Sequence, residues 1–381
     1  MVYAFMVKMN RATGGRDFIQ EVNPRTKAQE ECGDEENMII KRQTIDQASK
    51  QSVRQSKKRA TAFCLSLFML WGLFCTGCGS KESANVRAGS LKGPTSVGIL
   101  FLMEKAEKGE TADGYEFRMA TAADELLQLM AKGELDIALV PANAAAVLYQ
   151  RTDGGVVAVD INTLGVLSFV SGSADISSVA DLKGRTVYLT GKGTTPEASL
   201  KYILRQNGLT EQDYALEYKS EAAEVAAVLA ENPAAVGLLP QPFATAAMLQ
   251  NESLKEVLNM NEEWDRVQGE GGSAMVTGVT LVRREFLEEH EDAVKEFIRE
   301  HRDSAEKVNR DTAAAAALAV QAGIVAKESI ALEAIPRCSV TCVTGENMKQ
   351  LLSGYLGVLA DFNPELVGGS LPGDDFYYSE Q

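Results

Sequence analysis

Two short segments of this chain, about a hundred residues apart, place the same residue types at nearly the same spacing. Gly93-Pro94-Thr95-Ser96 leads into an apolar helical pattern, and the segment returns as Asp136-Ile137-Ala138-Leu139-Val140-Pro141. Gly193-Thr194-Thr195-Pro196 leads into another and returns as Ala235-Val236-Gly237-Leu238-Leu239-Pro240. Opening glycine and closing proline lie 48 residues apart in the first (93 to 141) and 47 in the second (193 to 240). Glycine followed by hydroxyl residues at a helix start leaves backbone N–H groups pointing outward. Such a terminus attracts an anion, by typically 0.3–1 kcal/mol when exposed and up to ~2 when partly buried. Lys192 adds a cation beside the second loop. No paired carboxylates, Ser/His/Asp set or Cys/His pair falls at these loops. The chemistry they suggest is capture rather than bond cleavage, with no cofactor and no metal site.

Positioning these loops requires two copies of one arrangement: loop, helix, strand, then a Pro-containing loop that starts the next helix. Loops at strand ends that feed helix N-termini are where open α/β sheets hold small ligands. The spacing therefore predicts an α/β chain of two lobes across a cleft, each a mixed, mostly parallel sheet flanked by helices. In the first lobe, 97–107 and 123–131 read as helices and 115–119 and 137–140 as strands. Asn143 caps the next helix, and 156–159 and 166–170 are buried strands around a loop, 162–165, that carries Thr163. In the second lobe, strands are expected at 186–190, 216–219 and 236–239, with Gln241-Pro242-Phe243 opening a helix. A strand over 274–282 returns to the first lobe. From Glu285 to about Ala360 the chain is mostly helical by periodicity and should cap that lobe; Phe286, His290, Val294, Phe297, His301, Ala305 and Val308 step by three or four.

The chain ahead of the repeat addresses location. Residues 1–60 are polar and end in Arg54, Lys57, Lys58 and Arg59; 62–74 is then uninterrupted by charge. Thirteen residues span only about 20 Å as a helix, against a ~30 Å bilayer core, which suits a signal-peptide core. It closes in Leu73-Phe74-Cys75-Thr76-Gly77-Cys78, which resembles a bacterial lipobox with lipid attachment at Cys78. The alternative is a signal peptide cut elsewhere, with Cys78 an incidental thiol. Two acyl chains would hold the protein at the membrane surface. The sixty residues before this core exceed an ordinary charged leader, so a start at Met38 is a competing possibility.

The chain carries 38 basic and 53 acidic residues; those after residue 77 number 26 and 45, about −19. That balance argues against nucleic acid and against electrostatic adhesion to anionic lipid. Cys338 and Cys342 lie four apart, about 13 Å on a strand and too far to bridge, and read as independent small apolar residues unless the loop bends. Glu221 and Glu224 read as a solvated helix face, and His290 and His301, set among Glu and Arg, as surface positions.

Several ordered motifs support a family resemblance: Asp181-Leu182-Lys183-Gly184-Arg185-Thr186-Val187, the 193–196 loop, Gly133-Glu134-Leu135-Asp136-Ile137-Ala138, Pro240-Gln241-Pro242-Phe243 and Val282-Arg283-Arg284-Glu285-Phe286-Leu287. Over roughly residues 90–310 the chain resembles the substrate-binding lipoproteins of ABC importers, in the type II periplasmic-binding fold. It looks most like the branch handling nitrate, sulfonates, taurine and thiamine-pyrimidine precursors. The resemblance implies two interlobe crossings, near Ser171 and near 273–277. It divides the chain into an extension and signal peptide (1–77), a lipid-anchored tether (78–91), lobe 1 (92–171 and 275–381) and lobe 2 (172–274). Ligand contacts transfer to Gly93, Pro94, Thr95, Ser96, Asn143, Thr163, Gly193, Thr194, Thr195, Gln241 and Pro242. Gln241 stands where many relatives place an acidic residue, which argues against a cationic ligand. The implied function is an extracytoplasmic solute receptor, a monomer, delivering a small, anionic-ended solute to a permease and its ATPase. The competing classes are an enzyme like the thiamine-pyrimidine synthases, which would need a cleft histidine, and a ligand-sensing ectodomain.

Overall fold

Strand β3, Ile137–Pro141, is an unbroken apolar run buried until its terminal proline, because helices cover both sheet faces. The computed structural model describes residues 84–269 and 271–379. The 1–77 extension, its apolar core, Cys78 and the start of the tether lie outside the described residues. β3 sits inside a six-stranded sheet ordered β11-β4-β10-β3-β1-β2. Its other members are β1 (Asn85–Leu91), β2 (Gly114–Ala120), β4 (Val156–Leu164), β10 (Val276–Arg283) and β11 (Val340–Val343). A second sheet, ordered β7-β6-β8-β5-β9, holds β5 (Leu167–Ser171), β6 (Thr186–Leu189), β7 (Ala215–Tyr218), β8 (Val236–Pro240) and β9 (Lys255–Asn259).

The repeat read in the sequence is a repeat in topology. β1 pairs in parallel with β2 and β3, and β6 pairs in parallel with β7 and β8. Each set ends on a strand closed by proline, and each closing strand meets an antiparallel neighbour there. Pro141 lies opposite Gly278 of β10, and Pro240 opposite Leu167 of β5.

Four expectations need correction. Residues 85–91 are not tether but β1, near the centre of the first sheet. Their small residues misled: Gly89 stays small because a Cβ there would come 2.6 Å from the Leu135 side chain. Asn162, Thr163 and Leu164 are the end of β4 and not a loop. The first crossing is therefore at Gly165 and Val166, since β5 already belongs to the second sheet and Ser171 ends it. The fourth concerns the C-terminal region, which is mostly helical as expected but does not only cap the first lobe. β11 edges the first sheet, and the Gly345–Phe362 helix packs on elements of both lobes.

The second crossing runs from the end of the Met260–Gln268 helix to β10. It lies against the first: a Cβ on Gly165 would meet Met275 at 2.5 Å and Asn261 at 2.9 Å. The Gly165 N–H donates to Asn261 Oδ1 (3.1 Å), and its carbonyl accepts from Ser339 Oγ (2.8 Å). Among the described residues, no helix is long and apolar enough to cross a membrane.

Candidate functional site

The closing prolines of β3 and β8 both line a shared hollow of about 220 Å³, which also takes residues from the helix after Pro141 and from the Thr195–Gln206 helix. The first sheet's side contributes Pro141, Asn143 and Thr277, and the second side contributes Thr195, Ser199 and Pro240. Val166, Met275 and Val276, from the crossings and the start of β10, form an apolar wall, and Tyr355 closes it. Ser199 lies one helical turn beyond Thr195, so the two share a face of the Thr195–Gln206 helix. The Tyr355 hydroxyl lies 3.2 Å from Ser199 Oγ and joins the C-terminal helix to the second lobe. Burial pushes the Tyr355 phenol up to about 12, so it stays neutral and able to donate. Among the described residues, the wall carries no carboxylate, ammonium, guanidinium, imidazole or thiol.

The structure brings Asn143 and Thr195 to this hollow and places the other expected contacts elsewhere. Gly93, Pro94, Thr95 and Ser96 pack on the end of the first sheet. Thr95 Oγ1 and Ser96 Oγ both donate to the Leu91 carbonyl, at 3.0 and 2.6 Å, and Thr163 Oγ1 reaches the Pro94 carbonyl at 3.5 Å. Thr163 is fully buried and also donates to Asn162 Oδ1 (2.9 Å). Gln241 is buried, its Oε1 accepting from Thr245 Oγ1 (2.8 Å) and its Nε2 without a partner; a cis bond joins it to Pro242. These two residues follow the lining Pro240 and support it.

The second loop differs most from its sequence reading. Gly193 and Thr194 are exposed, and their donors are already engaged. The Gly193 N–H donates to Glu197 Oε2 at 2.6 Å, and Thr194 N–H and Oγ1 both donate to the Gly191 carbonyl, at 3.0 and 2.6 Å. Glu197 is buried and paired with Lys201 (3.0 Å), which also holds Glu211 (2.9 Å). Burial works to raise the Glu197 pKa, but the Gly193 amide and Lys201 outweigh it and hold the carboxyl below its usual range. Lys192 lies over the Tyr218 ring, 5.4 Å from its centroid, and does not line the hollow. The glycine and threonine pattern thus serves the turn and the helix start.

His301 overturns its surface assignment: it is fully buried in the first lobe. It sits on the stripe of the Glu291–Arg310 helix that includes Val294, Phe297, Ala305 and Val308. Its Nδ1 lies 3.1 Å from Asp160 Oδ2, while Asp160 Oδ1 accepts from Thr280 Oγ1 (2.8 Å). Burial pulls the imidazole pKa down, but the Asp160 carboxylate outweighs it and lifts the ring to about 10. Asp160, His301 and Cys342 put an oxygen, a nitrogen and a sulfur within 4.8 Å of one another. With Asp160 and His301 already paired and buried in the first lobe, this trio reads as packing. His290, Glu221 and Glu224 are exposed, and Cys338 and Cys342 are unbonded. Neither histidine lines the hollow.

Two sheets joined by adjacent crossings around a hollow lined from both sides give the chain a two-lobed fold with a cleft. Residues 108–268 match the family described as the phosphonate periplasmic substrate-binding protein of ABC transporters. Over that segment the chain is similar to the substrate-binding proteins of ABC transporters. An ABC transporter structure from Parabacteroides distasonis superposes with a TM-score of 0.65 at 22% identity, covering 78% of this chain and 100% of its own. The periplasmic aliphatic sulphonate binding protein SsuA of Escherichia coli gives 0.62 at 16%, covering 79% and 94%. The desulfurization enzyme DSZB gives 0.56 at 14%, covering 78% and 97%, so this fold also carries catalysis elsewhere. No curated protein matches the chain significantly.

Proposed function

We propose that this protein is the extracytoplasmic solute receptor of an ABC importer, taking a small molecule between its lobes and passing it to a membrane permease driven by an ATPase. One observation carries the reading: a hollow walled by Asn143 and Thr277 from one lobe and by Thr195 and Ser199 from the other. A molecule held there touches both lobes, and only such a molecule favours the closed clamp over the open one. The apolar patches and few hydroxyl and amide groups suit a small organic solute. The sulfonate receptors of like fold support the nitrate, sulfonate and taurine branch as the relatives in transport. The lipobox-like segment at 73–78 supports tethering through a lipid on Cys78, with the receptor acting as a monomer at the outer face of the membrane. Among the described residues, no carboxylate, imidazole or amine lines the hollow to activate the Ser199 or Thr195 hydroxyl, and this favours a receptor over an enzyme.

A thermal-shift screen over small organic solutes tests the reading. A ligand at 100 times its Kd stabilises the folded state by about 2.7 kcal/mol. Thr277→Trp, which fills the hollow from the first lobe, should abolish any shift while leaving the unliganded melting temperature within a few degrees. A shift that survives Thr277→Trp would refute binding at this place. Intact-mass measurement of the membrane-bound protein tests the anchor, a diacylglyceryl adduct on Cys78 being the expected result.

A further inference from the structure

We infer that this protein carries a second binding site, in the seam between the Thr195–Gln206 and Gly345–Phe362 helices, which takes a small aromatic carboxylate and ties the two lobes together. The seam holds a cavity of about 330 Å³, at the small end of the ~300–1,000 Å³ range of small-molecule sites. Tyr202 and Arg205 line it from the first helix, Leu209 and Tyr214 from the chain that follows, and Val358 and Phe362 from the second helix. It shares no lining residue with the cleft. The cleft's Ser199 and Tyr355 lie three positions before Tyr202 and Val358, so cleft and cavity are successive turns of one helix-to-helix contact.

The wall offers an apolar body and two free donors. Tyr202, Tyr214 and Phe362 present rings against which a planar ring can pack, beside Leu209 and Val358. Tyr202 is fixed in advance, its ring centroid 4.7 Å from that of the buried Trp264. Of the charged groups in the wall, Lys201 and Glu211 are paired with each other at 2.9 Å. Arg205 is exposed and has no carboxylate partner among the described residues; its guanidinium lies 5.8 Å from the Tyr202 ring centroid. A guanidinium stacked by its face keeps its N–H edge for the two oxygens of a carboxylate. The Tyr214 hydroxyl likewise has no hydrogen-bond partner among the described residues, and burial pushes its pKa up, so it keeps its proton to donate. A ring bearing one carboxylate uses all of these groups. Val358 and Phe362 belong to a helix packed on the first lobe, and Tyr202 and Arg205 to the second lobe. A molecule touching both favours the arrangement in which the two helices meet. Its effect on the clamp rests on the receptor reading above; its binding does not.

The probe is 2-naphthoate, compared by titration calorimetry on the full-length protein with 2-naphthamide, similar in shape but uncharged, and with octanoate, charged but without a ring. We expect 2-naphthoate to bind most tightly, about fivefold ahead of 2-naphthamide. It should also slow amide exchange in both the Thr195–Gln206 and Gly345–Phe362 helices. Arg205→Gln should remove the lead of the anion over the amide, and Val358→Trp, which fills the cavity, should abolish binding of both. The proposal is overturned if 2-naphthoate does not bind, if 2-naphthamide or octanoate binds the wild type as well, if Arg205→Gln leaves the ratio unchanged, or if exchange slows in only one helix. The wild-type comparison needs no variant, so misfolding of Val358→Trp cannot hide the answer. Thr277→Trp, which fills the cleft, should leave 2-naphthoate binding as it is; loss of binding there would place the probe in the cleft and overturn the second site. Binding retained in Thr277→Trp, with no cleft solute found by thermal shift, would count against the receptor reading alone.

Discussion

Replacing Asp160 by asparagine tests whether the buried pair with His301 holds the first lobe together. The two side chains are wholly buried and join β4 to the Glu291–Arg310 helix, Nδ1 to Oδ2 at 3.1 Å. The Asp160 carboxylate raises the proton affinity of the buried ring, and removing one member of a buried ion pair costs about 3–5 kcal/mol. The amide introduced by Asp160→Asn could still accept from Thr280 but would carry no charge for the ring. In a body of this size the loss lowers the melting temperature by roughly 2 °C per kcal/mol. The sign with pH follows from the folded ring holding its proton more tightly than the unfolded one. Its contribution is whole below pH 6.5 and is lost as pH rises through about 10. Urea unfolding followed by circular dichroism should therefore show the largest gap between wild type and Asp160→Asn near pH 6, narrowing towards pH 10. A gap below about 1 kcal/mol at pH 6, or one that does not change with pH, would refute the ion-pair reasoning.

Three further substitutions probe the supports of the cleft. Gly278→Ala would put a Cβ 2.4 Å from Asn162 Oδ1 and 2.5 Å from Thr95 Cγ2. It should cost about 1–3 kcal/mol by overpacking, read as a lower urea midpoint at unchanged slope. Tyr355→Phe removes the hydroxyl contact with Ser199 and should cost about 0.5–1.5 kcal/mol, with looser amide-exchange protection in the Gly345–Phe362 helix. Burial pushes the pKa of Asp136 up, but the Arg87 and Arg283 guanidinium groups bound to it outweigh that push and hold it down. A depressed carboxylate stabilises above the unfolded value near 4 and loses that contribution as pH falls, so Asp136→Asn should flatten the acid limb of the stability profile. An acid limb identical to wild type would remove Asp136 from it.

The fold was legible where chemistry and period agree locally. The two Gly-to-Pro segments announced β3 and β8 because a strand covered on both faces must be an apolar run, and a proline after it must begin something else. β1 escaped because its small residues are dictated by Leu126 and Leu135 pressing on Gly89 from another element. The same held for the first crossing: nothing local marks Gly165, whose need to be small comes from Met275 and Asn261, far along the chain.

The site divided along similar lines. Residue type and spacing placed Thr195 at a helix start after a strand, and the family resemblance pointed to Asn143; both line the hollow. The Glu197 carboxylate on the Gly193 amide and the Tyr355 hydroxyl at Ser199 were decided only by tertiary structure. A helix turn can direct a side chain inward or back on its own loop, and a distant helix can cross to either lobe, without changing local pattern. His301 was the instructive middle case: its place on the apolar stripe from Val294 to Val308 spoke for burial, while its charged neighbours spoke for the surface. The stripe prevailed because Asp160, 141 positions away, supplies the charge that lets an imidazole be buried.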